Sequence, residues 1–96
     1  MRQAYVVSYD ISSPKRLRKM YKLMRGYGDH VQYSVFRCEL NKRELVELRT
    51  KVREVINAFE DQVMFVDIGP AAGRGAHCIS TLGKPFLFIE RHALVV

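Results

Sequence analysis

The stretch Ala4-Tyr5-Val6-Val7-Ser8-Tyr9-Asp10-Ile11-Ser12-Ser13 decides how this chain is read. Its first half is β-branched and aromatic, a composition that suits a buried strand over Tyr5–Asp10. The strand closes on a carboxylate and turns at once into a helix-start signal. Ser13 suits an N-cap, and Pro14 suits the first helical position, where its missing N–H costs nothing. Leu17, Met20, Tyr21 and Met24 then recur at helical spacing, and Gly26 ends the segment. Lys15, Arg18, Lys19 and Lys22 share the opposite face, within an arc of about 100° at 3.6 residues per turn. An acid at a strand end beside a row of cations at one sheet edge marks the place to expect chemistry.

Working outward, charge singles out the same region. The net charge of +6 is carried entirely by residues 1–28, where Arg2, Lys15, Arg16, Arg18, Lys19, Lys22 and Arg25 face Asp10 alone. The remaining residues balance nine basic side chains against nine acidic ones. A solvated helix face usually alternates signs; four cations with no interleaved acid favour a polyanion, and nucleic acid is the commonest. Ninety-six residues make a single domain, residues 1–96, with one modest core. No apolar run approaches the roughly 18 residues of a membrane span, and no secretory leader is expected. Cys38 and Cys78 form no CxxC pair, so both are expected to be reduced, mostly buried thiols in a cytoplasmic protein.

The rest of the chain reads as further α/β elements. Val31–Leu40 predicts a second strand, and Asn41-Lys42-Arg43-Glu44 a capping box. The helix it opens buries Leu45, Leu48, Val52, Val55, Ile56 and Phe59. Gln62–Ile68 predicts a third strand, Ala71–Ala76 a mobile loop and His77–Leu82 a short strand. Residues 86–96 form a terminal strand or arm. The residues alone give β-α-β-α-β with a terminal hairpin, four strands in the main sheet and both helices on one face. The strands are apolar on both sides, as in Tyr5, Val7 and Tyr9 alternating with Val6. The other face therefore needs a cover, either a second copy of the chain packed with two-fold symmetry or the terminal arm folded back.

No Ser-His-Asp order, HExxH motif, Walker loop or paired cysteine ligands occur, and His30, His77 and His92 share no ligand spacing. Arg25-Gly26-Tyr27-Gly28 followed by Val31-Gln32-Tyr33 is similar to the start of an RNA-recognition signature, but it directly follows a helix rather than lying on a central strand. Asp10 has two readings. It accepts hydrogen bonds from the Ile11-to-Ser13 turn, or it holds a hard divalent cation, which needs few protein oxygens. One carboxylate per chain is a poor site, and two symmetry-related Asp10 side chains make a better one.

Tyr9-Asp10-Ile11-Ser12, Lys15-Arg16, Arg18-Lys19, Tyr27-Gly28 and above all Gln32-Tyr33-Ser34-Val35-Phe36 closely resemble the CRISPR-associated proteins of the Cas-two family. Leu82-Gly83-Lys84-Pro85 resembles it too, and the likeness extends over the whole chain. The resemblance implies an α+β, ferredoxin-like sheet with two helices on one face and a homodimer through the other. It implies a part in CRISPR spacer acquisition beside the Cas-one integrase, with DNA or single-stranded RNA as the nucleic acid. It implies a metal-dependent endonuclease with Asp10 as catalytic residue and ligand of Mg²⁺ or Mn²⁺. Tyr9 and Ser12 would orient the acid or its waters, and Lys15, Arg16, Arg18, Lys19 and Lys22 would hold phosphates. Arg16 or Arg18 would also stabilise charge in the transition state. Two alternatives accompany it: a stand-alone toxin-like endoribonuclease, and a structural DNA-binding scaffold without catalysis.

Overall fold

β1, Gln3–Asp10, is an inner strand: its residues pair antiparallel with β3, Val35–Leu40, on one side and with β4, Gln62–Pro70, on the other. The computed structural model describes residues 1–84. After β1 the chain forms α1, Pro14–Arg25, then β2, Gly28–Gln32, β3, α2, Lys42–Val55, and β4, and closes with a 3₁₀ turn at Arg74–Ala76. The sheet order is β2-β3-β1-β4, every pair antiparallel. This is the ferredoxin-like β-α-β-β-α-β arrangement.

Both helix starts follow the local chemistry. The Ser13 hydroxyl accepts the Arg16 backbone N–H at 3.3 Å, with Pro14 in the first turn. At α2 the capping box is closed: Asn41 Oδ1 accepts from the Glu44 N–H at 2.8 Å, and Glu44 Oε1 from the Asn41 N–H at 2.9 Å. Met20 and Met24 of α1 and Leu48 and Val52 of α2 meet Val7, Tyr9, Phe36, Cys38 and Leu40 of the sheet in one core.

Several expectations from sequence are corrected. The single strand over Val31–Leu40 is two strands, folded at Tyr33-Ser34 into the β2–β3 hairpin. No non-glycine residue has a positive φ among the described residues, so this turn requires neither Gly nor Asn and leaves no turn signal. An irregularity between His30 and Gln32 adjusts the strand instead. The second helix stops at Val55, and Phe59 is fully exposed. There Asn57 Oδ1 accepts from the Phe59 N–H and Asp61 Oδ2 from the Asn57 N–H, local bonds that outcompete another helical turn. His77–Leu82 forms no strand. The terminal strand or arm over residues 86–96, with Pro85 and His92, lies outside the described residues. Cys38 is buried as expected, whereas Cys78 is exposed, and neither is in a disulfide.

The sheet face away from the helices carries Val6, Ser8, Val35, Arg37, Met64 and Val66, by register. One end of this face is covered. The glycine-rich segment read as a mobile loop folds onto it, and the buried Arg37 guanidinium donates to the Gly75 carbonyl at 2.8 and 3.3 Å and to Glu39 at 2.8 Å. A Cβ on Gly75 would lie 2.5 Å from the Ala4 Cβ, so only glycine allows this approach. The covered end is the one remote from Asp10. Among the described residues Met64 and Val66 stay exposed.

Candidate nucleic-acid interface and strand-end carboxylate

Asp10 ends β1 as an exposed residue, opposite Gln62 of β4. Among the described residues its carboxylate has neither a hydrogen-bond nor an ion-pair partner. The turn that follows is tied down by a different acid. Asp61, just before β4, accepts the Ser12 N–H at 3.1 Å, the Ser12 hydroxyl at 3.3 Å and the Asn57 N–H at 2.8 Å. It also takes two bonds from Arg16, Nε at 2.7 Å and Nη2 at 3.1 Å. The Arg16 guanidinium, helped by these two backbone N–H groups, holds the Asp61 carboxyl well below the usual carboxylate range. The turn-capping reading of Asp10 therefore gives way: Asp61 does that work, and the Asp10 oxygens are left for another partner.

The other sequence-derived site residues divide into two groups. Lys15, Arg18, Lys19 and Lys22 are all exposed on α1, as the helical spacing predicts. Arg16 is turned away from that set and locked to Asp61 and to Glu60 at 3.0 Å, so its charge is already answered. Ser12 belongs to the same Arg16–Glu60–Asp61 cluster. Tyr9 precedes Asp10 on a strand, so the two side chains point to opposite faces. Its ring is 4% exposed in the helix-side core and stacks on Phe36 at 6.3 Å. Neither Tyr9 nor Ser12 touches the Asp10 carboxylate.

Sequence reading missed two features. Asp61 is one, because its Arg16 and Ser12 partners lie 45 and 49 residues away and no local pattern announces them. The second is a cavity of about 470 Å³ between α1 and the β2–β3 hairpin, lined by Tyr9, Leu17, Tyr21, His30 and Tyr33 with Arg18 and Lys22. His30 donates from Nε2 to the Tyr33 carbonyl at 3.0 Å, and its ring meets Tyr21 edge-on at 5.3 Å. Burial, with lesser effects from Tyr21 and Tyr33, pushes the Tyr9 phenol up to about 12. It stays neutral at physiological pH.

The family model for CRISPR associated protein Cas2 matches residues 3–72 of this chain. The chain belongs to the Cas2 family. A Geobacter sulfurreducens protein named CRISPR-associated endoribonuclease Cas2 is 38% identical over 96 residues, covering 100% of each chain. A Rhodospirillum rubrum protein named CRISPR-associated endoribonuclease Cas2 1 is 40% identical over 93 residues, covering 97% of this chain and 90% of that one. Among solved structures, Streptococcus pyogenes Cas2 superposes with a TM-score of 0.73 at 32% identity, over 83% of this chain and 99% of that one.

The Cas2-like run from Tyr27 to Phe36 is the β2–β3 hairpin. A Cβ on Gly28 would stand 2.5 Å from the Arg37 carbonyl oxygen and from Cys38 Sγ, so this glycine lets β2 press against β3. The Ser34 carbonyl accepts the Tyr9 N–H at 3.1 Å and fixes the hairpin tip beside the end of β1. A hard cation fits the donor chemistry of Asp10, an exposed carboxylate with no competing partner among the described residues. No group of three or more His, Cys, Asp or Glu side chains that could hold an ion occurs among the described residues. Among the described residues Asp10 therefore stands as a single carboxylate rather than as part of an acidic cluster. Among the described residues no helix is long and apolar enough to cross a membrane.

Proposed function

We propose that this Cas2 chain is a nucleic-acid-binding protein of CRISPR spacer acquisition. In this reading it works as a homodimer beside the Cas-one integrase in the cytoplasm and has metal-dependent endonuclease activity at Asp10. The observation that carries it is a juxtaposition: a carboxylate that is exposed, and unpaired among the described residues, ends β1, and the cationic face of α1 begins five residues later at Lys15. Lys15, Arg18, Lys19 and Lys22 hold phosphates. Asp61 and Arg16 fix the turn, so that the acid and the helix keep one relative position. Asp10 from each protomer would hold Mg²⁺ or Mn²⁺, which when bound supplies a polarised water and neutralises phosphodiester charge. The names of the Geobacter and Rhodospirillum relatives support RNA as a substrate.

The phosphate interface has a direct test. For duplex DNA, the logarithm of affinity should fall linearly with the logarithm of salt concentration, by about 0.9 per phosphate neutralised. Replacing Lys15, Arg18, Lys19 and Lys22 together by alanine should flatten the slope by up to about 3.6, measured by anisotropy across a salt series. An unchanged slope would place the phosphates elsewhere.

The dimer is supported by the uncovered apolar side chains on the sheet face opposite the helices. Met64 is 52% exposed and Val66 39%. A two-fold partner packed there covers them and brings two Asp10 carboxylates toward one axis. Val66→Glu should convert a micromolar dimer to monomer in sedimentation velocity. A wild-type monomer, or a Val66→Glu dimer, would rule this face out.

The scaffold reading, holding DNA without cutting it, is favoured by one observation: among the described residues Asp10 is not part of a cluster of acids that could hold an ion. The Asp10 variant argued below separates it from catalysis.

A further inference from the structure

We propose that the aromatic cavity between α1 and the β2–β3 hairpin is a nucleobase pocket, which takes one unpaired base of a single-stranded nucleic acid while Arg18 and Lys22 hold its flanking phosphates. The proposal rests on the phosphate-binding role of the α1 cationic face argued above. It adds a base-binding site on the opposite side of the sheet from Asp10.

Size and shape come first. At about 470 Å³ the cavity falls within the ~300–1,000 Å³ of small-ligand pockets, room enough for a base with part of its sugar. The lining is the second argument. Tyr21, His30 and Tyr33 bring three rings from two elements to one space, with Leu17 as an apolar wall. Rings stack on any base, because every base has a π-face. Tyr33 is 82% exposed at the hairpin tip, and an aromatic ring there buries nothing for the fold. It is placed to close on a ligand rather than to fill the core.

Tyr9 is the third argument. Its side chain is almost wholly buried and lines the cavity, yet among the described residues its hydroxyl has no hydrogen-bond partner. Tyr9 lines the cavity, and a base edge offers both donors and acceptors for its hydroxyl. Charge is the fourth. Arg18 and Lys22 border the cavity and also belong to the cationic face of α1. A strand whose phosphates follow that face has a base within reach of the opening. A duplex has no free base to offer, so the pocket distinguishes single strands from duplexes although both meet the same cations.

The test uses the full chain with an octaribonucleotide carrying one 2-aminopurine, and a blunt duplex DNA of matched charge. The wild type should bind the single strand and quench the 2-aminopurine fluorescence by stacking. Tyr33→Ala, at an exposed position, should weaken single-strand binding about 5- to 150-fold, the range for losing one base–aromatic stack, and should leave duplex affinity unchanged. Tyr9→Phe keeps the ring and loses only the hydroxyl; it should weaken binding several-fold and change the preference among the four bases. An octamer abasic at the reporter position should bind the wild type as weakly as the intact octamer binds Tyr33→Ala. Wild-type single-strand affinity in both variants, or tight binding of the abasic strand, overturns the pocket. Salt-dependent duplex binding without single-strand quenching overturns the pocket alone and leaves the phosphate interface standing. If the wild type binds neither nucleic acid, both readings fall.

Discussion

Asp10→Asn is expected to lose phosphodiester cleavage by more than about 100-fold in Mg²⁺ or Mn²⁺, since removing groups that merely orient a metal ligand already costs 10–100-fold. The substitution keeps shape and one acceptor oxygen but removes the charge that a hard cation needs. It should leave the fold intact: the carboxylate is exposed and unpartnered among the described residues, and surface changes of that kind usually stay within about 0.5 kcal/mol. Thermal unfolding and duplex affinity should therefore match the wild type, while cleavage of labelled RNA and DNA is followed over time. Cleavage at the wild-type rate would remove Asp10 from catalysis. Lost cleavage with retained spacer integration beside the Cas-one integrase would show that the nuclease is real and separable from the scaffold. A rigorously purified wild type that cuts nothing would leave the scaffold reading alone.

Asp61→Asn should be the most damaging single change to the architecture of the site. The Asp61 carboxylate gathers Arg16, Ser12 and the Asn57 N–H, and so joins the β1–α1 turn to the segment entering β4. The amide loses the ion pair, and its nitrogen cannot accept a hydrogen bond. Arg16 then keeps only Glu60 as an ion-pair partner, and the turn that carries Asp10 loosens. A lower urea midpoint at pH 7 and reduced cleavage are expected together, although Asp61 touches no substrate in this reading. The pH dependence has a definite sign. The folded-state pKa is depressed from 3.8, so the stability Asp61 contributes is complete above about pH 5 and is lost as pH falls below 4 toward that depressed value. The wild type should lose stability through this acid window, and Asp61→Asn should show a shallower loss there, in urea titrations at a series of pH values. Parallel acid limbs in the two proteins would assign the acid sensitivity to other carboxylates.

Local chemistry alone determined β1, the capped start of α1, the capping box of α2 and the cationic stripe of Lys15, Arg18, Lys19 and Lys22. Each is a periodic pattern or a cap whose partners lie within four residues, so no distant contact is needed to read it. The Cas2-like motif was also legible, but its shape was not. The Tyr33-Ser34 turn uses no positive φ, so the hairpin left no glycine or asparagine to mark it, and only pairing with β3 split the segment into two strands. Charge in the sequence counted Arg16 among the phosphate-binding cations. The fold withdrew it, because β4 enters the sheet beside β1 and delivers Asp61 to its guanidinium. The same antiparallel closure left Asp10 without that role and gathered Tyr9, Tyr21, His30 and Tyr33 around one cavity. These are contacts across the chain, between residues whose neighbours in sequence say nothing of each other. A linear pattern carries only short-range preferences, and the pairing of strands decides which side chains meet.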